Sequence, residues 1–194
     1  RAFSAGQDLA EMETAPVHED DLPHGFTPFI ETVEAFPKPL IAAVNGLGVG
    51  IGLTLLPHCD LVFMSESARV RGPFVTLGVT VEAGGSFLLP VTVGWQAASH
   101  LLYTARWVSA IEARDMGLVF RVVEPERMLE EALESAGEIA AMPLASLVGT
   151  KQLLRDARLD LVRAARAREV ATFAELVGGP ANQAAIAAFR EGKR

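Results

Sequence analysis

Residues 40–52, Leu40-Ile41-Ala42-Ala43-Val44-Asn45-Gly46-Leu47-Gly48-Val49-Gly50-Ile51-Gly52, carry an unbroken apolar run straight into four alternating glycines. A continuous apolar stretch from Leu40 to Val44 fits a strand buried on both faces, and the glycines predict a turn feeding an apolar, helix-like stretch over 53–56. The first amides of such a helix have no partner inside it, so they can hold an anion or an oxyanion. A dinucleotide-binding turn would space its glycines as G-x-G-x-x-G. Here Gly46, Gly48, Gly50 and Gly52 alternate, and no acidic residue follows about 20 positions on at a second strand end. Close packing of backbone around a turn explains the same glycines, and the residues by themselves leave that choice open.

Upstream, Ala2-Phe3-Ser4-Ala5-Gly6-Gln7-Asp8 reads as a second strand running into a tight turn. No Met or targeting segment precedes it, which reads as a domain represented only in part. If the two turns meet, their amides converge on one carbonyl oxygen. Residues 10–25 are polar, acidic and punctuated by Pro and Gly, so they read as a surface loop. His18, Glu19, Asp20, Asp21 and His24 in it could touch a metal, but a flexible acidic loop explains them with fewer assumptions, and no metal is expected. Phe26, Phe29, Ile30, Val33 and Phe36 have helical spacing that Pro37 ends.

Downstream, residues 60–64 predict a strand, 75–81 an irregular connection, and 85–93 a short apolar helix interrupted near Pro90. Two more helices are expected over 94–103 and 109–116, the latter opened by Ser109 with Glu112 three positions on, a capping box. Residues 118–123 return as a strand. From Pro125 the chain reads as helical: Leu129, Ala132, Leu133, Ala136, Ile139 and Ala140 form one apolar stripe, and Val170, Phe173, Ala174 and Val177 another, before Gly178-Gly179-Pro180 stops it. The organisation is an α/β core over 1–124 and a helical region over 125–194.

Composition narrows the class. The 194 residues are 50% apolar and 21% charged with a net charge of −7, which suits one compact domain and excludes disorder or fibre. No apolar run reaches the roughly 18–20 residues of a membrane span. A single cysteine, Cys59, rules out an internal disulfide framework, and a reducing cytoplasmic compartment is expected. The acidic balance argues against a nucleic-acid partner. Nine of the 17 basic residues lie at 151 or later, and those of 151–168 read as a solvated helix face, with phosphate contact as the alternative.

Glu82 is the chemically conspicuous residue, a lone carboxylate between apolar residues and glycines at the entrance to a helix. A solvated first-turn acid would suit the helix dipole. Burial near Phe74, Val81 and Phe87 would instead raise its pKa and make it a base near neutrality. His58-Cys59-Asp60 has nucleophile-like residues, yet adjacent side chains do not converge as a relay, and a buried thiol is the simpler reading. No G-x-S-x-G elbow occurs.

Taken in order, Ala2 to Leu9, Lys38 to Gly46, Cys59-Asp60-Leu61, Leu77-Gly78 through Gly84-Gly85-Ser86, Ser109-Ala110 and Gly117-Leu118-Val119 resemble the crotonase superfamily, the enoyl-CoA hydratase/isomerase family. The resemblance implies an α/β spiral of ββα repeats whose N-terminal strands are missing here, a C-terminal helical region used in trimer or hexamer assembly, and an acyl-CoA thioester as ligand, with no cofactor beyond the substrate's coenzyme A. By position it gives the oxyanion amides to Ala5 and Ile51, and substrate or coenzyme A contacts to Ala5, Gly6, Gln7, Asp8, Gly50, Thr54, Phe74 and Phe87. The two carboxylates expected of a hydratase fall at Thr54 and Phe74, neither of which accepts a proton. Glu82 falls at the position of the base in Δ3,Δ2-enoyl-CoA isomerases. The expectation is therefore an isomerase that shuttles a proton with one carboxylate; a hydratase, or a non-catalytic acyl-CoA-binding homologue, is the alternative.

Overall fold

The computed structural model describes residues 2–8 and 25–191, so most of the acidic loop, including His18, Glu19, Asp20, Asp21 and His24, lies outside the described residues. In chain order the elements are β1 (Ala2–Ser4), α1 (Phe26–Ala35), β2 (Ile41–Val44), β3 (Leu47–Val49), α2 (Ile51–Thr54), β4 (Leu61–Ser65), β5 (Arg69–Arg71), α3 (Gly85–Val93), α4 (Trp95–Thr104), β6 (Val108–Ser109), α5 (Ala110–Asp115), β7 (Arg121–Val123), α6 (Met128–Ala140), α7 (Leu144–Leu176) and α8 (Pro180–Arg190). Single 3₁₀ turns stand at Leu56–His58 and Val75–Leu77.

The strands form two sheets, ordered β1-β3-β5-β6 and β2-β4-β7. All neighbours run parallel except β5 and β6. Consecutive strands β2, β3, β4 and β5 alternate between the sheets, which winds the chain into a spiral. Asn45 and Gly46 alone separate β2 from β3, so two residues carry the chain around a corner.

The apolar run forms β2 and is covered on both sides, as its composition predicts. Ala42 and Val44 enter the main core with Leu53, Met64 and Val70, while Ile41 and Ala43 pack on Phe63, Val123, Met128 and Ala132. The glycine stretch is corrected: it is not only a turn but contains β3, a strand that buries Gly48 and is held by its neighbours β1 and β5. Gly48 is needed there, because a Cβ would lie 2.8 Å from the Gly52 carbonyl oxygen and 3.1 Å from Val70. The helix begins two residues earlier than expected, at Ile51, and yields to the Leu56–His58 turn, where Pro57 has no N–H to continue it.

Helix α3 runs unbroken through Pro90, contrary to the expected interruption, because Leu88 and Leu89 are fully buried and outweigh one lost backbone bond. The capping box at Ser109 and Glu112 is present. The strand expected over 118–123 is confined to Arg121–Val123. Only part of the apolar stripe of α6 faces the core, Ala136 and Ile139 being half-buried. Met128 and Ala132 are buried, whereas Leu129 and Leu133 are 59% and 62% exposed. The 33-residue α7, about 50 Å long, crosses the core and buries only Lys151, Val162, Ala165 and Glu169. Further along, Phe173 and Val177 join Phe74, Val79 and Ile186 in a second cluster.

The basic residues of 151–168 are also corrected. They are not simply a solvated face. Lys151 is buried and donates to Asp60 Oδ2 at 2.5 Å, Arg158 donates to the Pro57 carbonyl at 3.1 Å, and Arg166 pairs with Glu34 at 2.9 Å. Asp60 also accepts from the Leu40 amide at 2.7 Å, so one carboxylate joins the entry of β2 to α7. A positive side chain can be aimed inward when a carboxylate from another element meets it.

Candidate active site

The two glycine-bearing turns meet. Parallel pairing sets Ser4 opposite Gly48, so the chain leaves β1 at Ala5-Gly6 beside the point where it leaves β3 at Gly50-Ile51. Gly6 has φ +86°, and a Cβ on it would approach the Val49 carbonyl oxygen to 3.1 Å; a Cβ on Gly50, at φ +57°, would stand 3.9 Å from the Gly6 Cα. Gly52 lies equally close to β1, with Ser4 O 2.9 Å from its Cβ position. Within α2 the amides of Leu53 and Thr54 donate to the Gly50 carbonyl at 2.8 and 3.1 Å, which leaves Ile51 at the helix end whose amides have no partner inside the helix. Ala5, Gln7 and Asp8 are exposed beside this junction, and Gly50 and Ile51 are half-buried.

Glu82 is brought to the same place by Thr54. The Thr54 hydroxyl, at the far end of α2, donates to Glu82 Oε1 at 2.5 Å. Because α2 is a single turn, Thr54 stands only about 5 Å along the axis from Ile51. Glu82 Oε2 is buried and has no hydrogen-bond partner. Burial pushes the carboxyl up to about 8; the Thr54 hydroxyl works against that rise and the nearby Glu169 adds to it. Of the two readings the residues left open, the buried acid is the one realised. Phe74, 6% exposed, belongs to the cluster that also receives Val81, the neighbour of Glu82, and Phe87 is half-buried on the first turn of α3.

The segment after Glu82 is backbone-strained and held from two sides. Ala83 has φ +60° and Gly84 φ +73°. His58 Nε2–H donates to the Ala83 carbonyl at 2.7 Å, and burial lowers the pKa of that imidazole, which keeps it neutral. Glu169 accepts from the Gly84 and Ser86 amides, both at 2.7 Å. Sequence reasoning missed Glu169. The available signal was its register on α7: Val162, Ala165 and Glu169 recur at i, i+3 and i+7, an inward stripe that ends in a carboxylate. Cys59, expected as a buried thiol, is partly buried, and burial with the neighbouring Asp60 raises its thiol to about 11, which disfavours the nucleophilic thiolate. Among the described residues no three His, Cys, Asp or Glu side chains are grouped to hold a metal, and no helix is long and apolar enough to cross a membrane.

Comparison with known proteins identifies the family. The family described as Enoyl-CoA hydratase/isomerase matches residues 1–194. A Rhizobium meliloti (strain 1021) protein named "Probable enoyl-CoA hydratase" is 40% identical over 167 residues, which cover 86% of this chain and 65% of that protein. The 1,2-epoxyphenylacetyl-CoA isomerase of Escherichia coli (strain K12) is 31% identical, with 84% of this chain and 67% of the relative covered. An enoyl-CoA hydratase/isomerase crystal structure from Pseudoalteromonas atlantica T6c superposes with a TM-score of 0.91 at 37% identity, over 100% of this chain and 76% of that one. Hydratase names outnumber isomerase names among such relatives. On sequence and fold alike, the chain belongs to the enoyl-CoA hydratase/isomerase family, the crotonase superfamily.

Proposed function

We propose that this protein is an enoyl-CoA isomerase that moves the double bond of a 3-enoyl-CoA to the 2 position. The reading is carried by one observation: Thr54 joins the buried Glu82 carboxylate to the helix that begins at Ile51 and leaves Oε2 unpartnered. In the proposed reaction the thioester oxygen accepts hydrogen bonds from the Ala5 and Ile51 amides. Glu82 Oε2 removes a proton from Cα, and the electron pair of that C–H bond spreads over a dienolate from the thioester oxygen to Cγ. The protonated Glu82 returns the proton at Cγ, which leaves the Cα–Cβ bond double and the carboxylate restored. Each amide aimed at the developing oxyanion is worth about 3–4 kcal/mol.

The elevated pKa suits a group that must both take and return a proton. A carboxyl at about 8 is roughly one-tenth ionised at pH 7, and that fraction starts the reaction. Thr54 and Phe74 stand where the resemblance puts a hydratase's carboxylates, so no second acid is supplied there to activate water, and Phe74 with Phe87 would keep water from the dienolate. The mechanism uses no cofactor beyond the substrate's own coenzyme A, for which Gly6, Gln7, Asp8 and Gly50 would form part of the rim. Assembly as a trimer or hexamer in the cytoplasm is part of the proposal, supported by exposed Leu153, Leu154 and Leu161 on α7.

The names of the relatives favour a second reading, a hydratase. Adding 3-enoyl-CoA to the protein and following the absorbance of the conjugated product separates the two. Turnover that Glu82→Gln abolishes supports the isomerase. Water addition to a 2-enoyl-CoA that survives Glu82→Gln supports the hydratase, and tight acyl-CoA binding without turnover supports a non-catalytic homologue.

A further inference from the structure

Glu169 takes no part in the reaction above, yet it is the one buried acid of the 33-residue α7. Its side chain reaches across more than 80 positions of sequence to the segment that carries Glu82. Its two oxygens are divided between two amides: Oε2 accepts from Gly84 N and Oε1 from Ser86 N, each at 2.7 Å. Those amides open the nine-residue α3 and have no acceptor inside it, and a carboxylate there also meets the positive end of the helix dipole. The fit is tight, since a Cβ on Gly84 would lie 2.9 Å from Val162, about two turns before Glu169 on the same inward stripe of α7.

The grip is applied where the backbone most needs it. Ala83 and Gly84 are consecutive residues at positive φ, a conformation an alanine rarely adopts and that persists only when neighbours over-determine it. On one side His58 holds the Ala83 carbonyl; on the other Glu169 holds the two amides that follow. Released from either, this turn relaxes toward ordinary dihedrals and swings the side chain of Glu82, which immediately precedes it.

We infer that Glu169 is a positioning residue for the reaction, fixing the strained turn after Glu82 so that the base is aimed into the acyl site by α7. This rests on the isomerase reading for its kinetic consequences but not for its structural ones. Its negative charge gives a signature that a purely structural clamp would lack. The charged and titratable groups packed about this turn are Glu169 and Arg166 from α7, the neutral His58 from the turn before β4, and Glu31 and Glu34 of α1, which hold Arg166. Of these, Glu169 adds to the elevation of Glu82, so neutralising it lowers the pH at which Glu82 ionises.

The experiment compares wild type, Glu169→Gln and Glu169→Ala in the full chain. Glutamine keeps the size and one acceptor oxygen while removing the charge; alanine removes both. Two readouts are taken. The ionisation of Glu82 is followed by infrared difference spectroscopy with labelled glutamate, which needs no turnover, and kcat and KM for 3-enoyl-CoA are measured across pH. The expected result for Glu169→Gln is a Glu82 titration shifted to lower pH, faster amide exchange at Ser86, and kcat reduced about tenfold with KM within about twofold. Glu169→Ala is expected to lose about a further tenfold in kcat. An unmoved Glu82 titration together with wild-type exchange at Ser86 in Glu169→Gln overturns the inference, and so does wild-type kcat in both variants of an active enzyme. If the wild type fails to isomerise while the titration and exchange still shift, the positioning role stands and only the isomerase reading falls. Should Glu169→Ala not fold, the glutamine variant decides alone.

Discussion

Replacing Glu82 by glutamine should make the protein more stable as the pH rises, and by an amount the site dictates. Burial lifts the Glu82 pKa from 4.5 to about 8, so the folded chain keeps a proton that the unfolded chain releases near 4.5. Between those values the unfolded state binds fewer protons, and each pH unit costs the fold roughly 1.4 kcal/mol. The stability that comes from the neutral acid is therefore whole below about pH 4.5, falls steadily, and is gone above about pH 8. Across the whole window the loss is roughly 4–5 kcal/mol. Glutamine has the shape of the protonated acid, can accept from the Thr54 hydroxyl at the same oxygen, and does not titrate. Glu82→Gln should thus match wild type near pH 4.5 and gain on it by roughly 1.4 kcal/mol per unit up to pH 8, then level off. Urea unfolding at intervals from pH 4.5 to 9 reads this directly. With a slope near 2 kcal/mol/M, the two midpoints should separate by about 0.7 M for each pH unit. A separation that stays constant from pH 5 to 8 would refute the reasoning, because it would mean that Glu82 ionises in the fold as it does in water.

Three further outcomes follow from the same contacts. Thr54→Val removes the hydroxyl that holds the Glu82 pKa down, so the acid limb of kcat should move to higher pH and kcat at pH 7 should drop about tenfold per unit of movement; an unmoved limb in the pH–rate profile contradicts it. Gly52→Ala places a Cβ 2.9 Å from Ser4 O and must push β1 away from α2, costing about 1–3 kcal/mol in urea unfolding and depressing turnover more than substrate binding as the two turns part. Asp60→Ala leaves Lys151 buried without its carboxylate and the Leu40 amide without an acceptor, which should cost about 3–5 kcal/mol in the same assay, while Lys151→Met, which removes the charge itself, should cost less.

What could be read from the sequence is what depends on near neighbours. The apolar run Leu40 to Val44, the Ser109 capping box and the Pro37 stop are local signals, and each appears where its chemistry places it. β3 was hidden because Leu47 and Val49 are set among turn-forming glycines and the residue the strand buries is Gly48; it is held as a strand by β1 and β5 on either side. Pro90 and Leu129 misled for the opposite reason, local rules being overridden by where the core lies. At the site, Glu82 was legible as an acid among apolar residues, and the meeting of the two turns was legible only as a condition. Thr54 was noted for the carboxylate it replaces. Its donation to Glu82 depends on a contact between residues 28 positions apart, and that of Glu169 on one of more than 80, for which a single sequence carries only a register hint.

These long contacts explain how the site can exist at all. An ionised Glu82 is costly to the fold, and Ala83 at φ +60° adds about 1–2 kcal/mol of backbone strain beside it. Inside residues 78–86 a single turn hydrogen bond, from the Gly85 amide to the Glu82 carbonyl at 3.0 Å, spans the strained backbone, and Gly78, Gly84 and Gly85 contribute no side chains. Further support is imported: the Thr54 hydroxyl on α2 eases the ionisation, while His58 at the end of a helical turn and Glu169 on α7, with Val162 closing against Gly84, hold the strained backbone. A loop able to hold a charged base against an apolar wall is therefore the product of three elements that are well anchored elsewhere. α7 in particular is fastened to the spiral at its other end by the Lys151–Asp60 pair, about 27 Å away along the helix axis. Helix α7 thus acts as a brace running from the entry of β2 to the base, and damage at the far end of the brace should reach the site through the aim of Glu82 before it reaches the core.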